Sequence, residues 1–234
     1  MRHSVLAVYI VLCSLLANGC TKGTNKATAA TVFLLKGRIV FGSAGQNDFH
    51  PVTLKSRIDD GATVQSADGA LLDLALIPGA FAQLSGDSEI NVQELSAAKD
   101  GNETAGGMRA RTARIRLNRG KIIVLFTPSD RSASQFVIGT REVTINPGSD
   151  CLFCIRIDGT TTRVTCAKGK VDVSTETQSP VAIDAGFFQQ WPTAHTKPFL
   201  AADDATAQID ITESLEAGER LQNEASSWSN RRPF

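Results

Sequence analysis

The sequence predicts an all-β fold, a sandwich-like or barrel-like domain of about 10–12 short strands with a C-terminal helix. Three observations predict it. Short apolar or alternating runs recur from residue 32 to residue 183, with the period of two expected of strands that bury one face. The runs are separated by Asp60-Gly61, Asp68-Gly69, Pro78-Gly79, Asn118-Arg119-Gly120, Pro147-Gly148, Asp158-Gly159 and Lys168-Gly169. Asp-Gly supplies the positive φ that tight hairpin turns need. The about 215 residues that follow an N-terminal leader can bury roughly 70–75% of their unfolded surface, enough for a real core.

The elements follow in order. Met1 to Ser4 make a short basic start, and residues 5–16 (VLAVYIVLCSLL) are almost wholly apolar. A run of that length is a signal-peptide core, well short of the roughly 20 residues of a membrane-spanning helix. Leu16-Ala17-Asn18-Gly19-Cys20 resembles a bacterial lipobox, with small residues before a Cys whose thiol takes diacylglycerol. The resemblance implies cleavage after residue 19 and a lipid anchor on Cys20. Thr21, where an Asp would retain such a protein at the inner membrane, implies the outer membrane. Residues 20–31 are small and polar and read as a flexible tether.

Strands are expected at 32–41, 63–66, 71–77, 81–84, 89–92, 113–126, 135–138, 142–145, 152–157, 162–167, 171–174 and 181–183. Residues 97–111 are Gly-rich and polar and are expected to form a loop. The β pattern ends at Trp191-Pro192, and residues 192–234 are expected to hold a linker, a helix over about 202–225 and a polar tail. Asp210 three residues before Glu213 predicts a capping box. The helix carries a thin apolar stripe of Ile209, Leu215, Leu221 and Ala225.

The 24 basic and 24 acidic residues balance. A near-neutral domain has no global pull on nucleic acid, and no aromatics interleave with the basic residues to stack bases. The one basic cluster is Arg109, Arg111, Arg114, Arg116, Arg119 and Lys121. In a strand through Ile115 and Leu117, Arg114 and Arg116 share the outer face and form a candidate contact for acidic polymer, lipid phosphate or an acidic protein surface. The competing reading is a solvated face that discourages edge aggregation.

No coherent catalytic set is present. Only His50 and His195 lie beyond the leader, and no Gly-x-Ser-x-Gly elbow occurs. No metal site or cofactor is expected. Cys151-x-x-Cys154 and Cys166 lack an obvious fourth zinc ligand, and this Cys-x-x-Cys lies in a strand rather than opening a helix. In an oxidising compartment a disulfide is the first expectation. If Asp158-Gly159 is a two-residue turn, Cys151 faces Cys166 and Phe153 faces Val164, with Cys154 left as a free thiol on the other face. A different loop length instead sets Cys166 opposite Leu152 or Phe153, and three reduced, packed thiols are the alternative to the bridge.

The order of motifs from about residue 32 to residue 191 resembles the FecR-type periplasmic domain. Lys36-Gly37-Arg38-Ile39-Val40 matches the opening Gly and aliphatic strand. Residues 58–70 match the segment that ends in a turn, with Ser66 in the family's Thr place, and residues 72–84 match its strand, Pro-Gly turn and strand. Leu117-Asn118-Arg119-Gly120-Lys121-Ile122 and Gly169-Lys170-Val171-Asp172-Val173 follow in order, while Phe136-Val137-Ile138-Gly139-Thr140 is degenerate. The resemblance implies an all-β domain of the periplasm that binds other envelope proteins. The family's namesakes also reach a cytoplasmic sigma factor. With only residues 1–4 before the apolar run, no such contact is expected here. The expected function is therefore a lipid-anchored, non-catalytic adaptor for an envelope protein. The alternative is a secreted binding protein for a small ligand or a cell-wall or capsular polymer.

Overall fold

A computed structural model describes residues 25–43, 45–46, 48–99, 108–128, 133–176, 179–193 and 195–231. The expected signal peptide and Cys20 lie outside the described residues. Among the described residues there are seventeen strands, followed by one long helix. They are β1 (Asn25–Ala27), β2 (Ala30–Lys36), β3 (Ile39–Ser43), β4 (Asp48–Pro51), β5 (Arg57–Ile58), β6 (Thr63–Ser66), β7 (Leu71–Ile77), β8 (Ala80–Lys99) and β9 (Met108–Phe126). Then come β10 (Ala133–Gly139), β11 (Thr144–Asn146), β12 (Cys151–Asp158), β13 (Thr161–Lys168), β14 (Lys170–Ser174), β15 (Val181–Asp184), β16 (Phe187–Trp191) and β17 (Phe199–Leu200). The helix α1 spans Ala205–Arg231.

Two very long strands organise the molecule. The first part of β8 (80–85) pairs with the last part of β9 (121–126), and residues 89–99 of β8 pair with 108–119 of β9. A break in register between Ser85 and Glu89 separates the two parts. One sheet therefore runs β5-β2-β7-β8-β9-β12-β13-β16-β17 through the first pairing. The other runs β4-β3-β6-β8-β9-β10-β11-β14-β15 through the second, with β1 added beside the end of β8. The pairing of β9 with β10 is parallel. The result is a sandwich and not a closed barrel. Its core joins Leu72, Leu84, Ile122 and Phe153 of the first sheet to Ile90, Ile115, Leu117 and Ile138 of the second.

Where β8 passes between sheets, Gly120 on β9 makes room. Its φ is +82°, and a Cβ there would collide with Ser88 and the Asp87 carbonyl. Ser88 closes the gap. Its Oγ donates to the Ser85 carbonyl at 2.6 Å and accepts the Lys121 amide at 2.8 Å.

Several expectations change. The strand expected at 32–41 is two strands, β2 and β3, divided at Gly37. The expected loop at 97–111 contributes both its ends to the β8–β9 ribbon, because its polar side chains lie where both strands still find backbone partners. β structure begins at Asn25, inside the expected tether, where residues 25–27 pair with 96–98 of β8. The run Phe187–Trp191 is strand β16, whose Trp191 is buried in the core.

Candidate interaction surfaces

The outer face of the first sheet carries a second apolar strip: Ala75, Phe81, Ile123, Leu125, Leu152 and Cys154. These residues alternate with the core-facing ones, so both faces of the central strands are apolar and the exposed side needs a cover. Helix α1 is that cover. Ala217 and Leu221 are fully buried on the strip, with Leu215 and Ala225 partly buried beside them. Gly218 permits the close approach, since a Cβ there would lie 2.6 Å from Leu152 Cδ2.

The stripe that faces the sheet includes acids, which the expected apolar stripe did not. Asp210 and Ser214 are fully buried, whereas Ile209 is 53% exposed. Asp210 accepts from Arg156 Nε at 3.1 Å and from Arg156 Nη2, and from Thr165 Oγ1 at 3.4 Å. Glu213 pairs with Lys121 at 2.6 Å. Asp210 and Glu213 are thus a clamp onto β12, β13 and β9, and the expected capping box is corrected. The helix starts earlier, and Asp204 caps it by accepting the Ala207 amide at 2.8 Å while Arg163 Nη1 donates to the same oxygen at 2.8 Å. The Ala207 amide, with Arg163 beside it, holds the Asp204 carboxyl below its ordinary range. Burial opposes charge on Arg156, but its hydrogen bond to Asp210 together with the charges of Asp210 and Glu213 outweighs that and raises the guanidinium pKa.

A further carboxyl sits beneath the helix. Asp73 on β7 is fully buried, accepts from Gln83 Nε2 at 2.7 Å on Oδ1, and has no hydrogen-bond partner on Oδ2 among the described residues. Burial pushes its pKa up.

The three described cysteines are all buried and free. The hairpin register differs from the one that set Cys151 opposite Cys166. Asp158 pairs with Thr161, so the turn residues are Gly159-Thr160 and Phe153 faces Cys166. A bulge follows between Leu152 and Phe153. Cys151 and Cys166 both face the core, and Cys154 lies on the opposite face under α1. Burial pushes the Cys151 and Cys166 thiols up to about 12 and raises Cys154 as well.

The basic cluster is divided by its partners. Arg119 pairs with Asp87 at 3.1 Å and Glu89 at 3.0 Å, and Lys121 with Glu213. Arg111 is buried, and burial lowers its pKa. Arg114 and Arg116 alternate with the buried Ala113, Ile115 and Leu117 and stand exposed on the outer face of the second sheet. Neither makes an ion pair or hydrogen bond among the described residues. Beside them on β10 are Val137 and Gly139.

A different surface lies at the end of the first sheet. Phe187 pairs with Leu200 and Phe188 with Phe199, and β17 pairs with β16 alone among the described strands. Phe187, Phe199 and Leu200 are 36%, 42% and 45% exposed. Phe199 packs on Phe188 at 5.7 Å between centroids and meets His195 edge-on at 5.2 Å. Arg163 lies over Phe188 at 4.9 Å and ties this edge to the helix cap. Sequence reasoning missed this patch because residues 193–198 read as a linker and 199–200 fell between it and the expected helix; the signal was the pair Phe199-Leu200 after Pro198. The other histidine, His50, is exposed on β4 and lies 2.9 Å from Asp48.

No described helix is long and apolar enough to cross a membrane. Among the described residues no three His, Cys, Asp or Glu side chains gather as a metal site. The FecR protein family model matches residues 62–172, from β6 into β14. No curated protein matches the chain. Two crystal structures of candidate anti-sigma factors from Parabacteroides distasonis are similar. One is 12% identical, covers 58% of this chain and 57% of its own, and has a TM-score of 0.41. The other is 14% identical, covers 69% of this chain and 74% of its own, and has a TM-score of 0.44.

Proposed function

We propose, from the match of residues 62–172 to the FecR protein family model, that the chain is a lipid-anchored, non-catalytic adaptor on the periplasmic side of the envelope. Cys20 carries the lipid, and the β16–β17 edge recruits another envelope protein in a signalling-related role. The observation that supports this reading is the apolar edge. Three of the most exposed large apolar side chains, Phe187, Phe199 and Leu200, sit on one pair of strands whose outer strand has a free side. Contiguous exposed apolar groups on a soluble domain mark contact surfaces. An added strand would pair with β17 and flank Leu200 on one face of the sheet and Phe199 on the other, the mode by which sheet edges take up extended segments.

A photo-crosslinking residue placed at Phe199 in intact cells tests this, with Glu219 on the outer side of α1 as the control position. The expected result is one protein adduct from position 199, lost when Leu200→Asp is added, and none from position 219. No protein adduct at 199, or an adduct only to a polysaccharide, refutes the adaptor and favours a polymer-binding protein.

A further inference from the structure

The unpartnered arginines and the exit point of the chain lie on the same part of the molecule. β1 is the first described strand, and Asn25 pairs with Ala98 of β8, which pairs in turn with Ala110 of β9. Strands are about 4.8 Å apart, so Asn25 is about 10 Å across the sheet from Ala110. Arg114 is four residues farther along β9, about 13 Å at 3.3 Å per residue, which places it about 16 Å from Asn25. The five-residue step from Cys20 to Asn25 spans at most about 17 Å. A lipid on Cys20 can therefore enter a bilayer that lies flush with the outer face of the second sheet.

We infer that this face, through Arg114 and Arg116, docks on the anionic phospholipid headgroups of the membrane that holds the lipid. The inference rests on the lipid anchor at Cys20 proposed above. Three observations carry it. Arg114 and Arg116 are exposed and unpaired, whereas Arg119, Lys121, Arg156 and Arg163 of the same molecule each have an acidic partner. Gly139 lies beside Arg116, so no neighbouring side chain on β10 stands between that guanidinium and a headgroup. The tether itself, by sequence, adds Lys22 and no acid. Among anionic surfaces, the bilayer is the one that a short tether keeps within reach of these arginines. Glu94, opposite Arg114, is the local opposing charge; its Oε1 accepts from Ser96 Oγ at 3.1 Å and makes no ion pair with Arg114. Docking in this pose leaves α1 and the β16–β17 edge on other surfaces of the sandwich, available to a partner.

The test uses the lipidated full protein in vesicles, with a fluorophore on a Cys introduced at Gln135, which is exposed on β10 of the same face. A second sample carries the fluorophore at Glu219 on α1. A nitroxide headgroup lipid reports proximity. Quenching at 135 and not at 219 is expected in phosphatidylglycerol-containing vesicles, and not in phosphatidylcholine alone. High salt should abolish it, since screening shortens the reach of surface charges. Arg114→Gln and Arg116→Gln should each lower the docked-to-undocked ratio about fivefold, the equivalent of about 1 kcal/mol per cation near an anionic surface. Glu94→Gln should raise the ratio, and Arg57→Gln, an exposed arginine on β5 of the first sheet, should leave it unchanged. These positions are solvent-exposed or half-buried, and unchanged thermal unfolding will verify the fold of each variant. Equal quenching in neutral and anionic vesicles, or no response to the arginine variants, overturns the docked face. Displacement by soluble polyglutamate at matched charge also overturns it, in favour of an acidic polymer. Palmitate labelling reads the anchor separately. A chain that never labels removes the anchor and the docking with it, whereas a labelled chain with an unquenched probe removes the docking alone.

Discussion

Replacing Asp210 with Ala removes the acid that holds α1 to the first sheet. The carboxylate is buried, with 1% of its side chain exposed, and it accepts two bonds from Arg156 and one from Thr165. Removing one partner of a buried ion pair costs about 3–5 kcal/mol, chiefly because the other charge is left uncompensated. Arg156 is 29% exposed and Glu213 remains 3.8 Å away, so water and that acid recover part of the loss. The expected cost is about 2–3 kcal/mol, or a fall in Tm of roughly 5–10 °C for a chain of this size. Urea unfolding followed by far-ultraviolet ellipticity and by tryptophan fluorescence measures it. Arg156→Met should cost at least as much as Asp210→Ala, because it leaves the more deeply buried partner, the Asp210 carboxylate, with only the Thr165 hydroxyl at 3.4 Å. The pair Arg156→Met with Asp210→Leu should return to within about 1 kcal/mol of the parent, since a well-packed apolar pair can replace a buried ionic one. A loss below about 0.5 kcal/mol for Asp210→Ala, or full additivity of the two single changes, would refute the clamp.

Three further outcomes are expected. Asp73→Asn keeps the oxygen that accepts from Gln83 and removes a buried charge. Burial raises the folded-state pKa of Asp73, so its proton favours folding and its contribution is lost as pH rises through that value. The variant should gain about 1 kcal/mol at neutral pH and nothing below the ordinary aspartate range, as read from Tm against pH. Gly120→Ala should cost roughly 1–3 kcal/mol in urea unfolding, because its φ of +82° and the contact with Ser88 both disfavour a side chain. The thiols at 151, 154 and 166 should resist alkylation in the native protein, and unfolding without reductant should give three labels by peptide mass mapping. A single label on Cys154 would instead show a Cys151–Cys166 bridge.

Much of the sandwich was legible because its determinants are local. The strands at 63–66 and 71–77 have the expected bounds, since Asp-Gly and Pro-Gly turns bracket them. The alternation Ala113, Arg114, Ile115, Arg116, Leu117 assigns a face to each side chain without any knowledge of the neighbouring strands. What each side chain meets is a long-range matter. Arg119 and Arg114 look alike in sequence, yet Asp87 and Glu89 reach the first and no acid reaches the second. Lys121 finds its acid at Glu213, on the far end of the chain. The stripe of α1 could not be found by hydropathy, because a charged residue, Asp210, is among those fully buried in its first half, and its partner Arg156 comes from β12. The crossing of β8 and β9 between sheets was likewise hidden. The register break at Ser85–Glu89 depends on the close approach of Ser88 to Gly120, two residues that only the folded chain brings together. Strand period and turn chemistry act over a few residues and survive in any one-dimensional reading. Charge pairing, helix docking and sheet switching depend on register between distant segments, which tertiary packing alone sets.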